Sequence, residues 1–315
     1  MRTTVTIIIP TYRPNSILLR TLDLISDIST GGRYSIEVLI INTVSPTRIE
    51  NLIENHRRSL DLKITNIQKG QFNHGATRNF GVRKAKGKYL IFLSQDAYPT
   101  DKNFIDHFIE DLKGSKTVAV FGKETAPMDT QKNFRQYEHS MWFRQYEPYY
   151  DEKGRVWFSR EIKKRSPNPR ETFFWYSLSN VFSCYKSGFL KKHPFETIYY
   201  GEDVLMGKYI IEKGFKKVFD SRCRVEHFHS GIKDYIERSV SDWYFRIFVL
   251  KIPLRIKLKE KIDSNTGENL KAWEIYAYYF LKAAILAIVL AIRLKQSLLI
   301  LLDPELKSEY VKRRL

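Results

Sequence analysis

Apolar residues along the first 122 positions recur with two alternating periods. Continuous apolar runs such as Val5–Ile9 and Ile36–Ile41 are typical of β-strands that are buried on both faces. Between them, apolar residues recur every three and four positions, as on one face of an amphipathic helix. The pattern predicts strands over 5–9, 36–41, 62–67, 89–93 and 118–121, and helices over 16–25, 46–60, 75–86 and 101–112.

This alternation implies an α/β fold with a doubly wound, mostly parallel sheet and right-handed crossovers. Residues 123–175 interrupt it with many aromatic, Arg and Glu residues and no clean period. We interpret them either as an insertion over the carboxyl edge of the sheet that contacts an acceptor, or as the aromatic core of a subdomain. The α/β pattern then resumes with a strand over 181–185, a helix over 202–213 and short strands near 216–219 and 224–228.

The C-terminal part has a different character. Lys and Arg alternate with apolar residues over 250–261, and 275–302 is the most apolar stretch of the chain. Ten uninterrupted apolar residues are fewer than the roughly 20 that span a bilayer. From position 246 onward there are 14 Lys and Arg against 7 Asp and Glu, which is typical of a helix lying in an anionic membrane interface. A dimer-forming or core-capping helix is the alternative. The basic residues that interrupt the apolar stretch are Lys282, Arg293 and Lys295.

Composition narrows the class of protein. With 43% hydrophobic and 14% aromatic residues, the chain can bury a core, which excludes general disorder. Two cysteines exclude a disulfide framework and a thiolate metal cluster. The net charge of +18 indicates nucleic acid, anionic lipid or a phosphorylated substrate, or simply a well-solvated surface. Zinc-finger spacing, RNA-binding aromatics and Arg-rich runs are missing from the sequence, which makes nucleic acid the weaker option. The first apolar run is too short for a signal-peptide core, so we expect a peripheral location at the cytoplasmic face of the membrane.

Polar clusters follow the predicted strands, at the edge where α/β sheets bind ligands. Taken singly, each is ordinary turn or helix-start chemistry, whereas together they predict one site. The clusters are Pro10–Arg13, Phe72–Asn79, Ser94–Ala97, Tyr200–Asp203 and the pair His227 and His229.

From about residue 4 to 231 the sequence resembles the family 2 glycosyltransferases, and more narrowly their bacterial rhamnosyltransferase-like branch. The resemblance implies a GT-A fold over 1–245, with a nucleotide-sugar-binding half (1–122) and an acceptor-binding half (123–245). A basic and apolar helical tail, 246–315, follows and is expected to associate with the membrane. The residues that carry the resemblance are IIIPTYRPN at 7–15, FNHGATRNFGVRKAKGKYLIFLSQDAYP at 72–99, SNVFSCYK at 179–186, GEDVLMGKYIIEKGFKKVF at 201–219 and VEHFHS at 225–230.

Transfer from a nucleotide sugar leaves a diphosphate, whose charge a divalent cation would neutralise. Mg²⁺ or Mn²⁺ prefers oxygen ligands and needs few carboxylates beside substrate phosphates. Many relatives carry two Asp with one residue between them. This chain has Gln95 and Asp96 followed by Ala, as in the rhamnosyltransferase branch, so one carboxylate remains. His229 is the candidate further ligand, with His227 the less favoured choice.

The resemblance also implies the donor contacts. Arg78 is expected either to bind the diphosphate or to form a structural ion pair. Gly75 would let the backbone approach the donor, and Thr11 would border the base. Asn42 stands where the family usually has an Asp that helps to hold a pyrimidine, which puts base selectivity in question. The full predicted set is Pro10, Thr11, Tyr12, Arg13, Asn42, Asn73, His74, Gly75, Arg78, Gln95 and Asp96.

Asp203 is the expected general base, since an inverting transfer needs one carboxylate to take the proton of the attacking hydroxyl. Glu202 beside it would raise the pKa of the pair by like-charge repulsion or contact the acceptor. The predicted acceptor contacts are Trp175, Asn180 and Glu202.

These residues favour an inverting, metal-dependent glycosyltransferase that moves rhamnose or another deoxyhexose from a dTDP- or UDP-linked donor. The expected acceptor is a lipid-linked or polymeric glycan of the cell surface, and a homodimer is an open possibility. The alternatives are a UDP-hexose or N-acetylhexosamine transferase, and a non-catalytic glycan- or nucleotide-binding protein of the same fold. A membrane-associated nucleic-acid-binding protein is supported by charge alone. Asp96, Asp203 and His229 together argue against a non-catalytic protein.

Overall fold

The computed structural model describes residues 3–28, 31–127, 143–165, 172–198, 200–228, 231–251, 280 and 283–295. The chain forms two compact units. The α/β unit comprises Met1–Thr197 and Glu202–Phe228, and the second unit comprises Ile198–Gly201 and His229–Leu315. The domain boundary that the sequence predicts at residue 245, between a domain that folds alone and a tail, stays a prediction.

A nine-stranded sheet forms the centre of the α/β unit, counted over the described residues. Its strands are β1 (Thr3–Tyr12), β2 (Tyr34–Thr43), β3 (Asp61–Ile67), β4 (Tyr89–Leu93), β5 (Ala97–Pro99), β6 (Thr117–Thr125), β7 (Arg155–Phe158), β8 (Phe182–Lys186) and β9 (Lys216–His227). The order across the sheet is β3-β2-β1-β4-β8-β6-β9-β5, and β7 also pairs with β9.

Helices connect and cover these strands. They are α1 (Ser16–Ser26), α2 (Ile49–Leu52), α3 (His74–Lys84), α4 (Phe104–Asp111), α5 (Arg160–Arg165), α6 (Thr172–Tyr176), α7 (Ser187–Lys192), α8 (Glu202–Glu212) and α9 (Gly231–Tyr244). Helix α1 begins as predicted after Asn15, whose Oδ1 accepts hydrogen bonds from the backbone N–H groups of Ile17 and Leu18. The buried faces of α1 and α4 pack on the same apolar core as the middle strands.

The sheet is mixed, and six of its nine described strands are parallel to one another, in keeping with the predicted mostly parallel sheet. Strands β1–β4, β6 and β9 run in one direction, whereas β5, β7 and β8 run in the other. Strand β8 lies between β4 and β6 and is antiparallel to both. The chain therefore enters β8 at the carboxyl edge of the parallel strands. The loop that precedes β8 shares that edge with the loops that follow β1 and β4.

Two other predicted elements differ from the structure. The helix predicted over 46–60 is a four-residue α2 followed by a 3₁₀ turn at Asn55–Arg58. Arg48 provides no side-chain cap for it, and the asparagines in this segment are weak helix formers. The two short strands predicted near 216–219 and 224–228 are one strand, β9, with a bulge opposite Gly122. A Cβ at Gly122 would overlap the backbone carbonyl oxygen of Cys223 in that bulge.

A lysine lies inside the aromatic part of the core. Lys217 on β9 is fully buried, with its Nζ 4.0 Å from the ring centroid of Phe158 and 5.2 Å from that of Phe121. Its Nζ donates a hydrogen bond to the backbone carbonyl oxygen of Ser177. Burial lowers the pKa of Lys217 well below its usual value, because the charged form loses its hydration. Lys217 thus holds the chain at Ser177 at a cost in stability.

Replacing Lys217 with Met is expected to raise the free energy of unfolding at pH 7 by about 1–3 kcal/mol, since the methionine fills similar space without a polar group to desolvate. Lys217 binds a proton more tightly in the unfolded state than in the native state. The free energy of unfolding of the wild-type protein therefore rises with pH until the ordinary lysine pKa is reached. The advantage of the variant should therefore shrink between pH 7 and pH 10. Urea unfolding of both proteins at the two pH values measures this. An advantage that is independent of pH would contradict it.

The second unit contains α9, a π-helical turn at Phe245–Val249 and a helix over 283–295. Gly201 has a φ of +84°, and a Cβ there would overlap the ring of Phe245. On the helix over 283–295, Ile285 and Val289 are buried. Three large apolar side chains on it are exposed instead: Ile288, Leu290 and Leu294.

That helix confirms helical structure in part of the predicted 275–302 segment. The other residues of the predicted tail lie outside the described residues, apart from Phe280 and the stretch that ends at Lys251. Within the described part of the chain, the helices are all too short or too polar to cross a bilayer.

Candidate active site

Four segments meet at the carboxyl edge of the sheet. The backbone N–H of Ser94, after β4, donates to the carbonyl oxygen of Val181 before β8 at 2.9 Å. The N–H of Phe228, after β9, donates to the carbonyl oxygen of Asp96 at 2.8 Å. The N–H of Asn180 donates to Oδ2 of Asp203 at 3.2 Å. The structure thus brings together segments that lie up to 134 positions apart in the sequence, from Ser94 to Phe228.

Gln95 fastens the end of β1 to the loop after β4. Its Nε2 donates to the carbonyl oxygen of Tyr12 at 2.7 Å, and its Oε1 accepts from the Tyr12 N–H at 2.9 Å. Arg13, the next residue, has a left-handed φ of 51°, which is uncommon for a residue with a side chain. Its guanidinium lies 5.2 Å from the ring centroid of Tyr12. Gln95, predicted to contact the donor, therefore fixes the turn Pro10–Arg13 through both ends of its amide.

A hydrogen-bonded chain lies at the ends of β1, β2 and β3. The hydroxyl of Thr11 donates to Oδ1 of Asn42 at 3.1 Å, and Nδ2 of Asn42 donates to Oδ1 of Asn66 at 2.8 Å. Nδ2 of Asn66 donates in turn to Glu50 at 3.2 Å. Because the Glu50 carboxylate can only accept, the direction of the whole chain is set, and Asn42 presents a fixed amide orientation. An Asp at position 42 could not donate to Asn66.

The segment predicted to approach the donor is built around α3. Asn73 caps the helix, with its Oδ1 accepting from the N–H of Ala76 at 3.0 Å. A Cβ at Gly75 would overlap the backbone carbonyl oxygen of Glu196. The space beside Gly75 is therefore taken up by the backbone of Glu196, and the predicted approach of this glycine to the donor stays a prediction. His74 is exposed, and its ring stands edge-on to Phe72 with centroids 5.0 Å apart.

Arg78 forms the structural ion pair that was one of its two expected roles. Its Nη1 lies 2.7 Å from Oε1 of Glu202, and both side chains are more than nine-tenths buried. The Nε of Arg78 is buried without a hydrogen-bond partner. Removing one partner of such a buried pair lowers the free energy of unfolding by about 3–5 kcal/mol, because the other charge is left buried without a partner. Arg78 thus ties α3 to the start of α8.

Asp203 occupies the first turn of α8 and is half-buried. Its Oδ1 accepts from the N–H of Val204 at 2.8 Å, and Oδ2 accepts from the N–H of Asn180. Burial and the neighbouring Glu202 carboxylate raise the pKa of Asp203 to about 7, against the opposite effect of Arg78 and the two N–H donors. A carboxylate with a pKa near neutrality is suited to accept and release a proton.

The predicted acceptor contacts differ in exposure. Asn180 is buried, and its Oδ1 accepts from Ser183 at 3.0 Å and Tyr185 at 2.8 Å, while its Nδ2 has no partner. Trp175 is buried against Phe158 and Phe174, with centroids 5.9 and 5.5 Å apart. Trp175 thus packs inside an aromatic cluster, and its predicted contact with the acceptor stays a prediction. In its described part, the segment 123–175 is the aromatic core that was the second of its two interpretations.

His227 lies between two carboxylates. Its Nδ1 is 2.8 Å from Oε2 of Glu124, and its Nε2 is 3.4 Å from Oδ1 of Asp96. Burial alone would lower the pKa of His227, but Asp96 and Glu124 raise it to about 9. His229, the first-choice metal ligand, lies outside the described residues. The structure therefore gives geometry for the less favoured of the two histidines.

Comparison with known proteins identifies the family. The family described as "Glycosyl transferase family 2" matches residues 6–192, which is more than half of the chain. The chain belongs to glycosyltransferase family 2. Its sequence is 27% identical over 251 residues to the O-antigen chain rhamnosyltransferase RfbN of Salmonella typhimurium, covering 76% of this chain and 70% of that one. It is 23% identical over 250 residues to the O-antigen chain rhamnosyltransferase WbaN of Salmonella anatum, with the same shares covered.

Solved structures show the same fold. The mannosyltransferase PcManGT from Pyrobaculum calidifontis, in complex with GDP-Man and Mn²⁺, superposes with a TM-score of 0.55, at 14% identity over 99% of this chain and 84% of that one. TarS 1–349 of S. aureus in complex with UDP-GlcNAc gives 0.52, at 17% identity over 78% and 67%. The GT-A-like α/β fold expected from the sequence is confirmed, and so is the prediction of a glycosyltransferase.

The side chains around Asp96 can be compared with the ligands that a divalent cation needs. No group of three or more His, Cys, Asp or Glu side chains within the described ranges is arranged to hold a metal. Asp96 with His227 still fits a cation that takes most of its ligands from phosphates and water. Binding by His227 requires loss of the proton that its two carboxylate neighbours favour.

Sequence reasoning missed three residues of this glycosyltransferase site. Glu124 holds His227 and accepts from the Ser179 hydroxyl at 2.5 Å, and Asn66 continues the chain from Asn42. Lys217 fixes the backbone at Ser177, three residues before Asn180. Glu124 and Asn66 lie near the carboxyl ends of predicted strands. Their polar character at that position could have marked them as site residues. Nothing local in the sequence marks Lys217 as buried.

Proposed function

We propose that this glycosyltransferase is inverting and depends on a divalent cation, and that it moves a deoxyhexose such as rhamnose from a nucleotide diphosphate to a lipid-linked or polymeric cell-surface glycan. The similarity to RfbN and WbaN, both named O-antigen chain rhamnosyltransferases, supports the sugar and the acceptor class. The observation that carries the chemistry is Asp203, a half-buried carboxylate with a pKa near 7 at the start of α8.

The chain's own residues account for the proton transfer. Asp203 accepts the proton of the acceptor hydroxyl at Oδ1 or Oδ2 as that oxygen attacks the sugar, and the nucleoside diphosphate leaves in the same step. The N–H groups of Asn180 and Val204 keep the carboxylate oriented. Arg78 pairs with Glu202, so that one positive charge partly offsets the two adjacent carboxylates. One carboxylate base suffices, because a single displacement inverts the sugar without a covalent intermediate.

Asp96, with His227 beside it, is the side chain that would hold the cation. When bound, Mg²⁺ or Mn²⁺ supplies positive charge that stabilises the departing diphosphate. Arg13 and the Tyr12 turn, fixed by Gln95, border the base end of the proposed donor site. Two solved structures of the same fold are named with Mn²⁺ and a nucleotide sugar, which supports the same type of donor here.

The second candidate donor is a UDP-linked N-acetylhexosamine. It is favoured by similarity to TarS of Staphylococcus aureus, a poly(ribitol-phosphate) β-N-acetylglucosaminyltransferase that is 25% identical over 143 residues, although the match spans only 25% of that protein. Asn42 in place of the family's usual Asp leaves the base open.

Thermal unfolding with dTDP, UDP or GDP, each with and without Mn²⁺, tests the donor class. A ligand that binds the native state alone raises the unfolding temperature with the logarithm of its excess. We expect the largest shift with dTDP and Mn²⁺, followed by release of dTDP from dTDP-rhamnose when a glycan acceptor is added. A larger shift with UDP and turnover of UDP-N-acetylglucosamine would replace the first candidate by the second. Binding without turnover of any donor would favour the non-catalytic alternative.

The proposed membrane attachment rests on the helix over 283–295, whose exposed Ile288, Leu290 and Leu294 lie beside basic residues. In high salt, which screens electrostatic contacts with lipid, a chain that ends after Lys251 should move from the membrane fraction to the soluble fraction, and it should keep its α/β unit folded. Activity on a short soluble acceptor should survive, while activity on a lipid-linked acceptor should fall. The rival interpretation is an oligomer contact. A full-length protein that is an oligomer without detergent and ignores anionic liposomes would contradict the membrane proposal.

A further inference from the structure

The edge of the sheet opposite the proposed active site is lined with lysine. Strands β4, β6 and β9 start there, and the turn before each contributes two exposed lysines. We call this surface the lysine edge, and its turns carry Lys86 and Lys88, Lys113 and Lys116, and Lys213 and Lys216. Because α3, α4 and α8 run antiparallel to the strands that follow them, these positions also include the carboxyl ends of the helices, where cations are favoured.

These turns are direct neighbours. The N–H of Lys216 donates to the carbonyl oxygen of Lys116 at 2.8 Å, and the N–H of Ser187 donates to that of Lys88 at 2.9 Å. The ammonium of Lys186, at the end of the reversed strand β8, donates to the carbonyl oxygen of Gly114 at 2.6 Å. The lysines therefore belong to one continuous surface.

Further exposed cations extend the lysine edge on both sides of these turns. Helix α7, after β8, adds Lys191 and Lys192, and helix α5, after β7, adds Arg160 and Lys164. Exposed carboxylates are fewer around these turns and helices: α5 and α8 expose Glu161 and Glu212, whereas Asp27 and Asp61 are exposed farther along the same edge, beside the starts of β2 and β3.

The amino-acid composition of the lysine edge favours a lipid partner over protein or nucleic acid. The centres of protein interfaces are rich in aromatic residues and poor in lysine, and strands of nucleic acid stack on exposed aromatics. Ile162, at 41% exposure, is the large apolar side chain that the described part of the lysine edge exposes most. An even array of flexible ammonium groups without an apolar centre suits a bilayer of anionic lipids, which attracts lysines within a Debye length of its surface.

The opposite edge has a different charge. The carboxyl edge holds Asp96, Glu124 and Asp203 among its basic residues, so the α/β unit carries an asymmetric field along the strand direction. An anionic plane would orient the unit with its lysine edge toward the lipids.

We propose that the lysine edge is a docking surface for anionic phospholipid headgroups, separate from the helix over 283–295. Docking in this way places the proposed active site on the far side of the sheet, about 30 Å from the headgroups for ten-residue strands. Within the proposed function, this orientation selects a glycan long enough to extend from the membrane, and it leaves the donor site open to soluble nucleotide sugar.

Charge reversal on the full-length protein tests the docking surface. The edge variant carries Lys86→Glu, Lys116→Glu and Lys213→Glu, one from each turn. Its matched control carries Arg20→Glu, Arg48→Glu and Lys102→Glu, which are exposed cations outside the lysine edge with the same change in net charge. Binding is measured by co-sedimentation with vesicles of phosphatidylcholine alone or with about one-third phosphatidylglycerol. Circular dichroism and thermal unfolding check that both variants are folded.

We expect the edge variant to bind the anionic vesicles at least about tenfold more weakly than wild type, with the control close to wild type. The loss should disappear at high salt, where both proteins keep only apolar binding. Equal losses in both variants would show a net-charge effect and overturn the proposal, as would wild-type binding by the edge variant. Loss of binding to a nucleic acid or to an acidic protein, with vesicle binding intact, would overturn it too. Vesicle binding is read without catalysis, so an inactive enzyme would bear on the proposed function alone.

Discussion

Substitution of Asp203 by Asn is expected to reduce sugar transfer by about 10²–10⁴-fold, the usual contribution of a general base. Asn keeps the shape of the side chain and can still accept from the N–H of Asn180, so nucleotide and metal binding should stay near wild type. Initial rates with a saturating donor, together with nucleotide affinity from calorimetry, measure the two effects separately. Asp106→Asn is the matched control, since Asp106 also lies in the first turn of a helix.

The pH dependence of transfer gives a second measure of the same carboxylate. Because burial and Glu202 raise the pKa of Asp203 to about 7, the base is protonated below that pH, and the rate should rise through it. The native state also holds this proton more tightly than the unfolded state, so stability from Asp203 declines as pH rises from about 4 to above 7. The Asn variant should lack that decline. Transfer by the Asn variant at more than a few per cent of wild type would remove Asp203 from the role of base.

Substitution of Asp96 by Ala should weaken binding of the nucleotide with Mn²⁺ by at least about 100-fold, because a bound divalent cation is worth several kcal/mol of charge stabilisation. Chelation by EDTA should stop transfer by the wild-type protein, and added Mn²⁺ should restore it. Titration of the nucleotide with and without metal measures the loss.

Asp101→Ala is the control for this substitution. Asp101 is half-buried in the loop just after β5, with its Oδ2 3.2 Å from Nε2 of His107, and it has no place in the proposed donor site. Its loss should leave binding unchanged. Undiminished transfer in excess EDTA would show that Asp96 does not hold a required cation.

The elements nearest the donor site were the most predictable from sequence. Strands β1 to β4 and helices α1 and α4 follow local periodicity, and the turn residues after these strands mark the carboxyl edge. The direction of β8 could not be read in the same way, because the apolar pattern of a strand is the same in both directions. That one reversal decides that Asn180 meets Asp203.

Long-range pairing within the site was also beyond local reasoning. Arg78 and Glu202 are 124 positions apart, and either could have served a ligand equally well on sequence grounds. The two histidines near the end of β9 point to one face of a strand by periodicity, but β9 ends at His227. Periodicity therefore could not rank them, whereas the contact of His227 with Asp96 depends on how β5 pairs with β9.

The packing of Gly201 on Phe245 sets the length of a minimal catalytic fragment. Gly201 directly precedes Glu202 and Asp203, yet its contacts belong to the second unit, through a ring that leaves no room for a Cβ. A fragment that stops at the end of the sheet, near Phe228, would keep the base and lose the surface against which its leading residue is packed. The catalytic fragment therefore extends through the π-helical turn at Phe245–Val249, beyond the last strand of the fold that gives the family its shape.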